Sequence, residues 1–205
     1  MTRIKICGIT NKADAVAAAD LGVDMLGFIF YPKSPRYVDP ATAEDIVNAL
    51  PDDVVKVGVF VDEKEKRVVQ IAQDVQLDTL QFHGAETPEY CASFKEGYRV
   101  IKAFRLRDKS DLVAVNGYDV DYYLLDTYEI GSCGGTGKVF DWKMLKDFEF
   151  LKPVILSGGL NSSNVGKAIA EVAPYGVDVA SGVEKSPGKK DIELMRKFVA
   201  EVRKA

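Results

Sequence analysis

The sequence predicts an α/β chain folded as a single (β/α)8 TIM barrel over residues 1–205, and three observations carry that expectation. Short β-branched and aromatic runs alternate with amphipathic segments from one end to the other, which is the signature of repeated βα units and a parallel sheet. Eight such units can be counted, with no segment left over. The length of 205 residues lies at the short end of the range for one such barrel, roughly 200 residues and upward. An open doubly wound sheet is the alternative, although it commonly uses fewer strands.

The strand candidates, in order, are residues 4–7, 25–30, 55–60, 79–82, 99–103, 122–125, 154–156 and 177–180. Between them the apolar period becomes helical: Ala43, Ile46, Val47 and Leu50 fall at i, i+3, i+4 and i+7, as do Val68, Ile71, Ala72 and Val75. Asp39-Pro40 and Thr87-Pro88 each place a capping side chain before a proline at the first helical position. Neither glycines nor prolines cluster into a linker, and one domain covering 1–205 is expected.

Composition narrows the function. The hydrophobic fraction of 47% supports a core, and the 28% of charged residues is evenly spread. The net charge is −4, with Lys and Arg scattered, which argues against a nucleic-acid partner. No apolar run approaches the ~20 residues that span a bilayer, so no membrane partner is expected. Met1-Thr2-Arg3 leads directly into a strand pattern without a signal peptide, and the expected location is cytoplasmic. Cys7, Cys91 and Cys133, with the single histidine His83, offer neither a disulfide framework nor zinc-ligand spacing, so no metal is expected.

In a closed barrel the functional residues belong at the C-terminal strand ends and in the loops that follow. Gly134-Gly135-Thr136-Gly137 follows the sixth strand, Ser157-Gly158-Gly159 the seventh, and Ser181-Gly182 the eighth. Glycine lets backbone N–H groups approach a ligand, and barrels often hold phosphate after strands seven and eight. Each loop alone could simply be a tight turn. Together they point to a phosphate-bearing small molecule held by Gly137, Gly158, Gly159, Ser181 and Gly182. Gly137-Lys138 is not a nucleotide-binding P-loop, because Ser132 and Val139 stand where that motif needs Gly and Ser or Thr.

Cys7 in isolation reads as a small buried hydrophobe. Its place at the mouth end of the first strand makes it a candidate base, and Lys5 on the same face would favour thiolate. Asp178, on the neighbouring eighth strand, needs a partner inside the barrel, and parity nominates Lys5, which would then help Cys7 less. Asp126 ends an apolar strand and is either a turn former or a catalytic acid. Arg36, on a loop stiffened by Pro32 and Pro35, is either a solvated arginine or a carboxylate clamp. His83 is more often a structural hydrogen-bonding group than a catalyst.

Lys5-Ile6-Cys7-Gly8-Ile9-Thr10, Gly27-Phe28-Ile29-Phe30 with Ser34-Pro35-Arg36-Tyr37, Val57-Gly58-Val59-Phe60, Gln81-Phe82-His83-Gly84, Leu125-Asp126, Leu156-Ser157-Gly158-Gly159-Leu160 and Ser181-Gly182-Val183-Glu184 together resemble the phosphoribosylanthranilate isomerase family. The resemblance runs from Arg3 to the last helix. It implies an Amadori rearrangement in tryptophan biosynthesis, catalysed without cofactor or metal. It further implies Asp126 as the general acid at the ribose ring oxygen, Cys7 as the base at C2′, Arg36 on the anthranilate carboxylate, and His83 and Asp178 in substrate contact or support. A monomer or homodimer is expected. The stretch 128–133 aligns poorly with the family, and Cys133 has no role from it. The related histidine-pathway aminoaldose isomerase has aspartate where Cys7 stands, and a non-catalytic phosphate-binding barrel would leave Cys7 and Asp126 without a purpose.

Overall fold

The computed structural model describes residues 1–126, 142, 145 and 147–205. Eight strands, β1 (Arg3–Cys7), β2 (Met25–Ile29), β3 (Val55–Phe60), β4 (Thr79–Phe82), β5 (Arg99–Arg105), β6 (Tyr122–Asp126), β7 (Val154–Ser157) and β8 (Gly176–Val179), pair in that order. Every neighbouring pair is parallel, and β1 also pairs with β8, which closes the ring. The architecture is the predicted (β/α)8 barrel. Strand ends differ by up to two residues from the expectation. β5 runs on to Arg105 because Phe104 and Arg105 still face Leu125 and Asp126 across the ladder. β8 stops at Val179 because Ala180 leaves the extended region at φ −121°, ψ −79°.

The two faces of the strands build two separate cores. Met25, Val57, Ile101, Ala103, Leu124 and Ile155 cluster inside the ring, as the period-two alternation of each strand requires. Their strand neighbours Leu26, Phe28, Phe60, Leu80, Phe82, Val100, Leu125 and Leu156 face the helices. Phe60 stacks on Phe30 with ring centroids 5.4 Å apart. Fully burying one such side chain contributes about 1.5–3 kcal/mol, and this outer shell fixes where the strand ends sit.

Among the described residues the α-helices are α1 (Lys12–Asp20), α2 (Pro40–Val47), α3 (Glu65–Val75), α4 (Pro88–Ala92), α5 (Val165–Val172) and α6 (Ile192–Lys204). Both anticipated caps form: the Asp39 carboxylate accepts from the Thr42 N–H at 3.0 Å, and the Thr87 hydroxyl accepts from the Tyr90 N–H at 3.2 Å. Val68, Ile71, Ala72 and Val75 are all buried on α3, as their spacing predicts, whereas Leu50 lies just beyond the end of α2. The connection after β5 is a 3₁₀ helix, Lys109–Gly117, whose buried residues Leu112 and Val115 lie three apart, matching three residues per turn. A short antiparallel hairpin, β9 (Glu184–Ser186) with β10 (Lys189–Lys190), follows β8. No described helix is long and apolar enough to cross a membrane.

Candidate active site

At the C-terminal ends of the strands lies a pocket of about 350 Å³, within the size range of small-ligand sites. Cys7, Arg36, His83, Asp126, Gly158, Gly159, Asp178 and Ser181 all line it. Eight of the expected site residues therefore converge from β1, β4, β6, β8 and the loops after β2, β7 and β8. Gly182 stands one residue behind this wall, where a Cβ would collide with the Leu160 carbonyl oxygen, and it keeps the two loops in contact. Gly137 and Cys133 lie outside the described residues.

The β1 wall is charged and dry. Lys5 faces Asp178 directly in the β1–β8 register, and the ammonium donates to the carboxylate at 2.8 Å with the lysine fully buried. Parity alone predicted this pair. Ser157 donates to the other Asp178 oxygen at 3.1 Å. Burial works against the Lys5 ammonium, but Asp178 and Cys7 outweigh it and its pKa is raised.

Opposed influences act on Cys7. Its side chain points inward opposite Gly27, where an added Cβ would sit 2.8 Å from the sulfur and 3.1 Å from the Lys5 nitrogen. Gly27 thus provides the room both groups occupy. The residue is only 6% exposed, and burial pushes the thiol up despite the lowering influence of Lys5 and Lys190, with Asp178 adding to the rise. Lys5 does favour thiolate, as expected, but burial outweighs it. Desolvation dominates, and the ammonium is already committed to a carboxylate.

The opposite wall is wetter. Asp126 and His83 each leave 20% of the side chain exposed, and His83 Nε2 lies 3.4 Å from Asp126 Oδ2. Gln81, two residues before His83 and on the same strand face, places its amide nitrogen 3.1 Å from His83 Nδ1. With the amide donating to Nδ1, a neutral ring carries its proton on Nε2, directed at Asp126. His83 is thereby a neighbour of the candidate acid, closer to the chemistry than a purely structural histidine.

Arg36 reaches the pocket across Gly8, whose φ of +80° and missing side chain are both required: a Cβ there would sit 2.6 Å from Arg36 Cδ. The guanidinium is half-buried and paired. Its Nε and Nη2 donate to Glu184 at 2.9 and 2.7 Å. The sequence pattern offers Arg36 no protein partner and marks no site role for Gln81, Arg105, Ser157, Glu184 or Lys190. Strand parity with His83 could have nominated Gln81, and parity with Asp126 across the β5–β6 register could have nominated Arg105, which also lines the pocket. Glu184 and Lys190 lie in the hairpin beyond the last barrel strand, where no periodicity points inward.

The amide groups of Gly158 and Gly159 donate to no other described residue, and both residues have positive φ, +94° and +64°. Both glycines line the pocket with these N–H groups unused by the described residues. Among the described residues no group of three or more His, Cys, Asp or Glu is arranged to hold a metal ion.

Comparison with known proteins agrees with this geometry. The family model for N-(5′-phosphoribosyl)anthranilate (PRA) isomerase matches residues 4–201. An N-(5′-phosphoribosyl)anthranilate isomerase of Geobacter sp. (strain M21) is 48% identical over 204 residues, covering 100% of this chain and 99% of the relative. Among solved structures, the phosphoribosyl anthranilate isomerase of Thermotoga maritima is similar over 100% of both chains, at 43% identity and a TM-score of 0.93. A phosphoribosyl anthranilate isomerase crystallised with reduced 1-(o-carboxyphenylamino)-1-deoxyribulose 5-phosphate is similar at 40% identity and a TM-score of 0.88, again over 100% of both chains. With the match running from the first strand into the last helix, this chain belongs to the N-(5′-phosphoribosyl)anthranilate isomerase family.

Proposed function

We propose that Asp126 and Cys7 are the acid and the base of the rearrangement. The chain is an isomerase of tryptophan biosynthesis that converts N-(5′-phosphoribosyl)anthranilate into 1-(2-carboxyphenylamino)-1-deoxyribulose 5-phosphate. The observation that carries the assignment of roles is that Cys7 and Asp126 line one pocket from β1 and β6, three strands apart around the ring. They therefore address a bound sugar from different walls.

Asp126 gives its proton to the ribose ring oxygen as the C1′–O bond breaks, and the anthranilate nitrogen supplies the electron pair that forms the Schiff base. His83 Nε2–H steadies the carboxylate that remains. The iminium acidifies C2′, and the Cys7 thiolate removes that proton to give the enolamine, which relaxes to the ketone. Because burial raises the Cys7 thiol, the active thiolate form grows as pH rises. Lys5 and Asp178 fix the floor beneath Cys7 and the substrate C2′ region.

Arg36 takes the anthranilate carboxylate, and Gly158, Gly159, Ser181 and Gly182, together with Gly137, take the phosphate. Support for the phosphate role comes from the undonated amides of the loop after β7. Residues 1–205 act as one domain in the cytoplasm, as a monomer or homodimer, on a small molecule and not on nucleic acid or membrane. The return of α6 onto α1 and α5 supports the single domain, and the net charge of −4 supports the absence of a nucleic-acid partner.

The test follows the loss of phosphoribosylanthranilate fluorescence with wild type, Cys7→Ser and Asp126→Asn. Each variant should lose about 10³-fold or more in kcat while its circular dichroism and thermal melt match wild type. Full turnover in either variant removes that residue from the mechanism.

A further inference from the structure

Lys190 is a buried ammonium, 2% exposed, that the reaction just described does not use. It donates to the Cys7 carbonyl oxygen at 2.6 Å, to the Ala180 carbonyl at 3.2 Å and to Glu184 Oε1 at 2.8 Å. One side chain thus spans the backbone of the candidate base, the loop after β8 and the carboxylate that grips Arg36. The hairpin carrying it is anchored on the β1 side: the Lys190 N–H donates to Asp14 at 2.8 Å, and Thr10 donates to the Gly188 carbonyl.

Glu184 is as fully engaged. Its side chain is 4% exposed, and it accepts from Arg36, from Lys190 and from the Gly188 N–H at 3.3 Å. Burial alone would raise this carboxyl, but Arg36 and Lys190 hold it below the usual carboxylate range. A carboxylate tied at three points does not readily leave to make way for a ligand.

The geometry at Arg36 is the informative part. A guanidinium has two edges able to bind a carboxylate bidentately, one formed by Nε and a terminal nitrogen and one by the two terminal nitrogens. Glu184 occupies the first edge through Nε and Nη2. Nη1 has no hydrogen-bond partner among the described residues, and Arg36 lines the pocket whereas Glu184 does not. The edge left over is the one still open to a ligand in the pocket that Arg36 lines.

We propose that Glu184 and Lys190 are positioning residues for carboxylate recognition: Glu184 locks one edge of Arg36 so that the other faces the substrate, and Lys190 fixes that assembly to the Cys7 backbone. Recognition of the anthranilate carboxylate and placement of C2′ against the base are thereby set by one buried ion-pair chain. This inference rests on the reading of Arg36 as the carboxylate anchor.

The experiment measures inhibition constants of two product analogues, reduced 1-(2-carboxyphenylamino)-1-deoxyribulose 5-phosphate and its carboxylate-free phenylamino counterpart, in wild type, Glu184→Gln, Lys190→Met, Arg36→Met and Arg36→Met/Glu184→Gln. Wild type should prefer the carboxylated analogue. Glu184→Gln should lose about tenfold in affinity for it with little change for the other, and should raise KM more than it lowers kcat. In the Arg36→Met background Glu184→Gln should add nothing. Lys190→Met should show the same selective loss, more weakly.

Equal weakening of both analogues by Glu184→Gln overturns the proposal in favour of general structural support. Tighter binding of the carboxylated analogue overturns it by making Glu184 a competitor for Arg36. If Arg36→Met itself leaves the preference intact, the carboxylate-anchor reading fails, and that outcome is distinct from a failure confined to Glu184.

Discussion

The two walls of the mouth solve opposite problems. On the β1–β8 side, Cys7 sits among buried charges, with Lys5 on Asp178 and Lys190 on Glu184, in a largely buried region. On the β4–β6 side, Asp126 and His83 are each one-fifth exposed and face each other at 3.4 Å without a buried lysine between them. A base that must attack a carbon-bound proton gains from a fixed, dry setting. An acid that must be reprotonated each turnover gains from contact with solvent. The difference teaches that the ion pairs touching the pocket lining stand on one wall and the more exposed acid–histidine pair on the other, while the buried Lys102–Glu86 pair on the β4–β5 side lies outside the pocket lining.

This comparison predicts that stability is held on the β1 side. Asp178→Ala strands the Lys5 ammonium in a buried site, and should cost about 3–5 kcal/mol in urea unfolding. The surviving folded protein should show a Cys7 thiol pKa lowered from wild type, because the carboxylate that raises it has gone and Lys5 is released. An equal stability loss from His83→Asn would erase the distinction between the walls. His83→Asn should instead leave unfolding within about 1 kcal/mol of wild type and lower kcat by about tenfold, since it removes support for the Asp126 carboxylate only. Gln81→Leu should have the smallest effect, about threefold on kcat, by releasing the His83 tautomer; ¹⁵N chemical shifts of His83 report that release directly.

Much of this was legible before any coordinates. The eight strands follow from apolar alternation because their outer faces pack on helices and their inner faces on each other, and Lys5–Asp178 follows from parity plus ring closure. The turn after β7 was legible because Gly158 and Gly159 do adopt positive φ. Two kinds of feature were not. The state of Cys7 depends on the balance between desolvation and a lysine already paired, and sequence gives proximity without that balance. Glu184 and Lys190 belong to a hairpin outside the barrel period, and only the tertiary return of that hairpin onto Thr10 and Asp14 brings them to Arg36 and Cys7.

The most direct test of the account is the titration of Cys7 itself in a Cys133→Ser background, by iodoacetamide alkylation across pH with the modified site mapped, alongside the pH dependence of kcat/KM. Cys91 does not interfere, since burial pushes its thiol up to about 12. The account predicts an alkylation midpoint for Cys7 above the ordinary thiol value of about 8.5, and an ascending limb of kcat/KM with the same midpoint. A midpoint at or below the ordinary value would contradict the dominance of burial at Cys7, and a rate profile that rises independently of Cys7 ionisation would contradict the assignment of this thiol as the base.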